Sequence, residues 1–293
     1  MASRARNADG YVTIAVLVFV GIFAAVVSST LAASRPTLGL MRLGAQELQS
    51  DGLLDGGLAA AGYLLFVAKR DAASLDDMVL RMGEGAVSVS VSDEAARVDL
   101  NAAAADLLAG LYAAIGGRSM TPESFAARVI DWRDADSDEA PGGAEVGLYA
   151  SAGASYGPRN GPFRSTADLG FILGVRPDDL ARLLPLTTVF NPAGGIDPLT
   201  ASNAVLSALP DLTPSDLALL LQARSAGAAD RSAVLAAMSS PSRFFLGEGS
   251  GVYRVQLMSR LAGGLTRSAE GVLVGPPDPA KDYGVVYWSR NGS

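Results

Sequence analysis

Hydrophobic and polar positions alternate in three different ways along this chain. From Gly10 to Ser34, 25 residues pass without a charge, rich in Val, Ile, Leu, Phe and Ala, and Arg35-Pro36 closes the run. About 20 such residues suffice for a helix to cross a bilayer core. Beyond it the spacing turns amphipathic. Leu38, Met41, Ala45 and Leu48 form one apolar stripe at three- and four-residue intervals, and Leu54, Leu58, Ala61, Leu65 and Ala68 form a second, slightly out of phase. This predicts a helix to about Lys69, kinked at Pro36. The period then shortens to two: Val87, Val89 and Val91 alternate with Ser88, Ser90 and Ser92, the mark of a half-buried strand. Asp93-Glu94 reads as a turn and Ala96 to Leu100 as a second strand. Near the end, Val252 to Leu261 and Leu265 to Val274 flank Ala262-Gly263-Gly264, a hairpin pattern. Tyr283 to Trp288 adds a last strand after Pro276-Pro277-Asp278-Pro279.

The stretch between these strands reads as helical, with weak internal repetition. Polar caps open short apolar helices at Asn101 to Leu108, Ser165 to Val175 and Thr200 to Leu212, each followed by a tight turn and a second helix. These units look like helix-hairpin-helix motifs of the sterile-alpha-motif-like kind. The fold class that follows is α+β: a long N-terminal helix packed on an antiparallel sheet, with a large all-α domain inserted into it. The predicted boundaries are 1–10 for a leader, 11–36 for the membrane helix, 37–100 with 241–293 for the α+β domain, and 101–240 for the insert.

Composition narrows the function classes. The 293 residues are 49% hydrophobic and 18% charged, with a net charge of -7. Arg4 and Arg6 against Asp9 make the leader basic, so the acidic excess lies beyond the apolar run. The positive-inside rule leaves the leader in the cytoplasm and sends the acidic bulk outward. His and Cys are absent, and the only lysines are Lys69 and Lys281. That removes the commonest general base, thiolate chemistry and most lysine chemistry, and predicts that the chain is not an enzyme. Helix hairpins often bind DNA, so a membrane-anchored DNA-binding protein of a DNA-uptake system is the alternative. It needs turn N–H groups facing phosphate. Gly174 suits the second unit, but Asp211 stands where a turn glycine is usual in the third, and no Lys or Arg cluster accompanies either. An acidic chain is a poor partner for phosphate, so no nucleic acid is expected.

The densest local chemistry runs from Asp131 to Glu145. Asp134, Asp136, Asp138 and Glu145 fall at positions one, three, five and twelve of an EF-hand-like count, with the Ala140 carbonyl at position seven. Hard oxygen ligands at this density suit Ca²⁺ and repel one another without it. The glycine of position six is replaced by Glu139, Pro141 follows, and no exiting helix is apparent, so a related loop rather than a true EF-hand is expected, with a solvated acidic loop as the plain alternative.

The leader resembles the class III leader of type IV pilins and pseudopilins: basic residues, Gly10 at the cut, aromatic Tyr11 next, then an apolar helix. Tyr replaces the usual Phe, and Ala15 replaces the usual Glu at the fifth mature position. Cleavage after Ala32-Ala33-Ser34, as in a secretory signal peptide, is the competing reading. Further motifs are Arg97 to Asn101, Asp131 to Asp136 with Gly143-Ala144-Glu145 and Tyr149, Asn160-Gly161-Pro162-Phe163, and the Thr200-to-Leu212 hairpin with Ala223-Arg224. Together, to about Leu261, the chain resembles the protein K family of the general secretion pathway, the large minor pseudopilins of type II secretion. The resemblance implies cleavage by prepilin peptidase between Gly10 and Tyr11 with methylation of the new terminus, calcium in the insert, and a complex with minor pseudopilins I and J. It also implies a single-pass inner-membrane protein with a periplasmic head that caps the pseudopilus tip, starts its assembly and supports export. The family characteristically lacks the early Glu, so Ala15 agrees with it.

Overall fold

The computed structural model describes residues 6–226, 230–239, 242–276, 278 and 280–291, with backbone alone for 6–10, 30–42 and 291. Arg4 of the leader, the 240/241 boundary, and Pro277 and Pro279 lie outside the described residues.

One helix, α1 (Arg6–Gly62), carries the membrane stretch directly into the head, passing Pro36 without interruption. Its 57 residues span about 85 Å at 1.5 Å per residue. A π-helical turn at Tyr63–Val67 extends it. In the second stripe Leu54, Ala61 and Leu65 face the sheet and Ala68 is exposed; in the first, Ala45 and Leu48 are exposed. The sheet follows from a hairpin, β1 (Met78–Met82) and β2 (Gly85–Asp93). In β2, Val87, Val89 and Val91 turn toward α1 and the serines turn away, as the alternation predicts.

After Asp93 the chain leaves the sheet. It forms β3 (Val98–Asp99), α2 (Ala105–Ala114), α3 (Pro122–Arg133), α4 (Val146–Ser151), a 3₁₀ segment at Thr166–Phe171 and α5 (Pro177–Leu183). Then come β4 (Thr187–Thr188), α6 (Asn203–Ser207), α7 (Pro214–Ser225) and α8 (Arg231–Ala237). It returns as β5 (Val252–Leu261), β6 (Thr266–Val274) and β7 (Gly284–Asn291), giving one antiparallel sheet in the order β1-β2-β5-β6-β7. The chain therefore leaves the main sheet after 93 and rejoins it at 252. The strand predicted over Ala96 to Leu100 is corrected. Its extended part is β3, which pairs in parallel with β4 inside the insert rather than joining the main sheet.

Two separate cores result. One lies between α1 and the sheet; the other fills the insert around Leu107, Leu111, Tyr112, Phe125, Trp132, Tyr149 and Ile196. The neck between them is polar and paired. Glu94, fully buried, accepts from Arg254 Nε at 2.6 Å and from the Thr188 hydroxyl, and Arg254 also pairs with Glu270 at 2.6 Å. Asp93 accepts the N–H groups of Ala95 at 2.8 Å and Ser250 at 3.1 Å, so one carboxylate holds both chain crossings; burial pushes its pKa up despite these bonds. Buried Asp197 receives both Arg231 Nε and its terminal nitrogen, at 2.9 and 2.6 Å.

Candidate functional site

Helix α3 delivers the acidic loop. Thr121 caps its start, accepting from Ser124 N at 3.1 Å, with Pro122 in the first turn, and Asp134 ends it. Asp131, in the last turn, is 1% exposed and folds the loop back on the helix by accepting the N–H of Ala144 at 2.8 Å. A Cβ on Gly143 would lie 1.9 Å from the Asp131 carboxylate, so this return requires glycine. Asp136 accepts the backbone N–H of Asp138 at 3.0 Å, a local turn, and its carbonyl receives Asn160 Nδ2 at 2.6 Å.

Glu145 then enters the interior at 5% exposure as the residue before α4. A helix does leave the loop, against the expectation that none would. Its six residues, with Val146, Leu148 and Tyr149 as the large apolar ones, make under two turns, too short for a periodic signal. Neither Glu145 carboxylate oxygen receives a hydrogen bond of good geometry, and Asp134 Oδ1 and Asn160 Oδ1 are likewise buried without a donor. Burial, then the fields of Asp131, Asp134 and Asp136, push the pKa of Glu145 up. Burial, then Asp136 and Asp131, push that of Asp134 up. The structure thus brings Asp134, Asp136 and Glu145 into one electrostatic neighbourhood. Asp138 remains exposed at the loop tip. Among the described residues, no group of three or more Asp or Glu side chains is placed to hold a metal ion as it stands.

Acceptor oxygens buried without donors are costly, at about 1–3 kcal/mol each. A hard cation would satisfy them, and carboxylates with an amide carbonyl are the donor types that suit Ca²⁺. Asp131 and Asn160 were not among the spacing-derived ligands. Asp131 precedes the count, and Asn160 comes from a separate loop, where it holds a left-handed backbone (φ 47°) before Gly161. A frame from β3 fixes both loops. Arg133 donates to the Leu100 and Ala103 carbonyls at 2.6 and 2.8 Å, and Asn101 exchanges two bonds with the Phe163 backbone, at 2.7 and 3.1 Å.

The residues expected to be processed, Gly10 and Tyr11, lie within α1. Tyr11 is 78% exposed and begins the 19-residue stretch Tyr11–Ser29, which among the described residues is the helix long and apolar enough to span a membrane. In the insert, α2–α3 and α6–α7 are helix pairs, but the second repeat opens on a 3₁₀ segment rather than a helix. Asp211 stays exposed but is bound to its own chain: it accepts Ser242 Oγ at 2.6 Å and Arg243 N at 3.0 Å.

A membrane-length helix runs unbroken into an α-on-sheet head, with a helical domain spliced between β2 and β5. Residues 87–192 match the family model described as type II secretion system (T2SS), protein K. The fold matches a chain from the crystal structure of the GspK-GspI-GspJ complex of the enterotoxigenic Escherichia coli type 2 secretion system, with a TM-score of 0.66, 17% identity, and coverage of 88% of this chain and 99% of that one. No curated protein matches. The family model covers 87–192 and the solved structure shares the fold, and both agree with the resemblance that the motifs carry.

Proposed function

We propose that this protein is a minor pseudopilin that caps the pseudopilus tip of a type II secretion system, initiates assembly with minor pseudopilins I and J, and supports export across the outer membrane. The observation that carries the reading is the placement of the insert: about half the chain leaves the sheet after Asp93 and returns at Val252, so the bulk sits on one end of a pilin-like head. A second subunit stacked above would meet that bulk, while exposed apolar residues of α1 such as Phe19 and Phe23 stay free for helices below. Ala15 supports this. A buried carboxylate there would cost several kcal/mol without a neighbour's amine, and a cap has no neighbour above. Before assembly, prepilin peptidase cleaves between Gly10 and Tyr11, leaving a single-pass inner-membrane protein with a periplasmic head. Helix hairpins serve as packing units of the insert, and no nucleic acid is bound.

Calcium belongs to the same reading. Asp134, Asp136, Glu145 and the Asn160 carbonyl supply its oxygens, Asp138 closes from the loop tip, and the ion's role is to hold the insert in shape. The test is co-purification of full-length protein with the I and J pseudopilins of its own system. A stable ternary complex supports the cap; a protein that binds neither, in calcium, overturns it.

A further inference from the structure

The two crossings between the sheet and the insert are built differently. The outgoing one, Glu94–Ala96, is a 3₁₀ turn whose buried Glu94 is bonded both to Arg254 of the sheet and to Thr188 of the insert. The returning one is Gly247-Glu248-Gly249-Ser250-Gly251, a strap with three glycines in five residues. It runs from Leu246, whose N–H is held by the Ile196 carbonyl at 2.9 Å, to the start of β5. Asp93 latches the strap to the sheet by accepting the Ser250 N–H at 3.1 Å and the Ser250 hydroxyl. A Cβ on Gly249 would lie 2.6 Å from the same carboxylate, so the latch closes only over glycine. Beside the strap an open cleft of about 640 Å³ separates the two domains, with Thr200 and Arg231 of the insert on one side and Lys69 and Arg70, just beyond α1, on the other. Glu248 of the strap lines it too. Lys69, Arg70 and Glu248 are exposed, and among the described residues none of them is in an ion pair.

We propose that the strap is a two-position device: latched on Asp93, or released and swung into the cleft, where Glu248 pairs with Lys69 or Arg70 and draws the insert toward the end of α1. Domains joined without a large apolar interface move relative to one another, and this neck is polar. The glycines supply the backbone freedom of a hinge, and the opposite charges lining one cleft supply the attraction. Hydrogen bonds to a carboxylate outweigh an exposed ion pair, so the latched position dominates. Whatever strips Ser250 from Asp93 therefore changes the angle of the insert to the sheet.

The test is zero-length carbodiimide cross-linking of full-length protein in micelles, read by peptide mapping. Lys69 and Lys281 are the only lysines, so an amide between Glu248 and Lys69 marks the swung position. Wild type should give a small yield and Glu248→Gln none. Gly249→Ala, which pushes the strap off Asp93, and Ser250→Ala, which removes the hydroxyl donor alone, should each raise the yield, by about three- to tenfold. Cross-links of Lys281 in the same digest calibrate the reagent, and melting temperatures show that both variants keep the fold. No Glu248–Lys69 amide in wild type or either variant, a yield indifferent to both substitutions, or Lys69 joined only to Asp71 or Asp76 overturns the proposal.

Discussion

Glu145→Gln separates a metal ligand from a merely buried acid, because the two states of the loop should respond with opposite signs. In the metal-free protein, Glu145 is a buried carboxylate with no good donor and with Asp131, Asp134 and Asp136 nearby. Replacing it with a neutral amide of similar shape removes that repulsion and should stabilise the apo protein by about 1 kcal/mol, the lower end of the range for an unsatisfied buried group. With Ca²⁺ at a hundredfold excess over its dissociation constant, the wild type gains about 2.7 kcal/mol by mass action. For a domain of this size each kcal/mol moves the melting temperature by about 2–4 °C, so calcium should raise it by about 5–10 °C. The variant should show a slightly higher melting temperature than wild type in chelator and most of the calcium gain lost. Differential scanning fluorimetry of full-length protein in calcium and in chelator reads both. An undiminished calcium shift in Glu145→Gln, or no shift in wild type, would refute the ligand argument.

Three further outcomes follow from the geometry. Gly110→Ala should destabilise the insert by several kcal/mol in urea titrations, because its Cβ would lie 1.9 Å from the Ala208 carbonyl oxygen, where α2 meets α6. Without metal, Asp134 and Glu145 have pKa values raised in the folded state, so their ionisation penalises folding at pH values above those pKa values; lowering the pH through them should relieve part of that penalty, visible as a rise in apo melting temperature on mild acidification that calcium abolishes. Mass spectrometry of the assembled protein should find a mature terminus at Tyr11; a terminus after Ser34, or intact Met1, contradicts the processing proposal.

What the sequence made legible is what period and length encode. The buried stripe of α1, the Val/Ser alternation of β2 and the β5–β6 hairpin are each written in consecutive residues. Strand β1 was missed because Met78 to Met82 is apolar at four of its five positions and so has no readable alternation. The segment Ala96 to Leu100 was misplaced because two extended residues pair wherever a partner lies, and that partner, β4, is far along the chain. At the candidate site, carboxylate spacing proposes Asp134, Asp136, Asp138 and Glu145, and Asp138 stands at the exposed loop tip. The spacing does not yield Asn160 or the anchoring of the loop by Asp131, which depend on a second loop and on a backbone turn at Gly143.

The central claim is that the insert makes this subunit a cap. Immunogold labelling of overexpressed pseudopili with antibody to the insert tests it most directly. The account predicts gold at one end of each filament, and gold distributed along the shaft would contradict it.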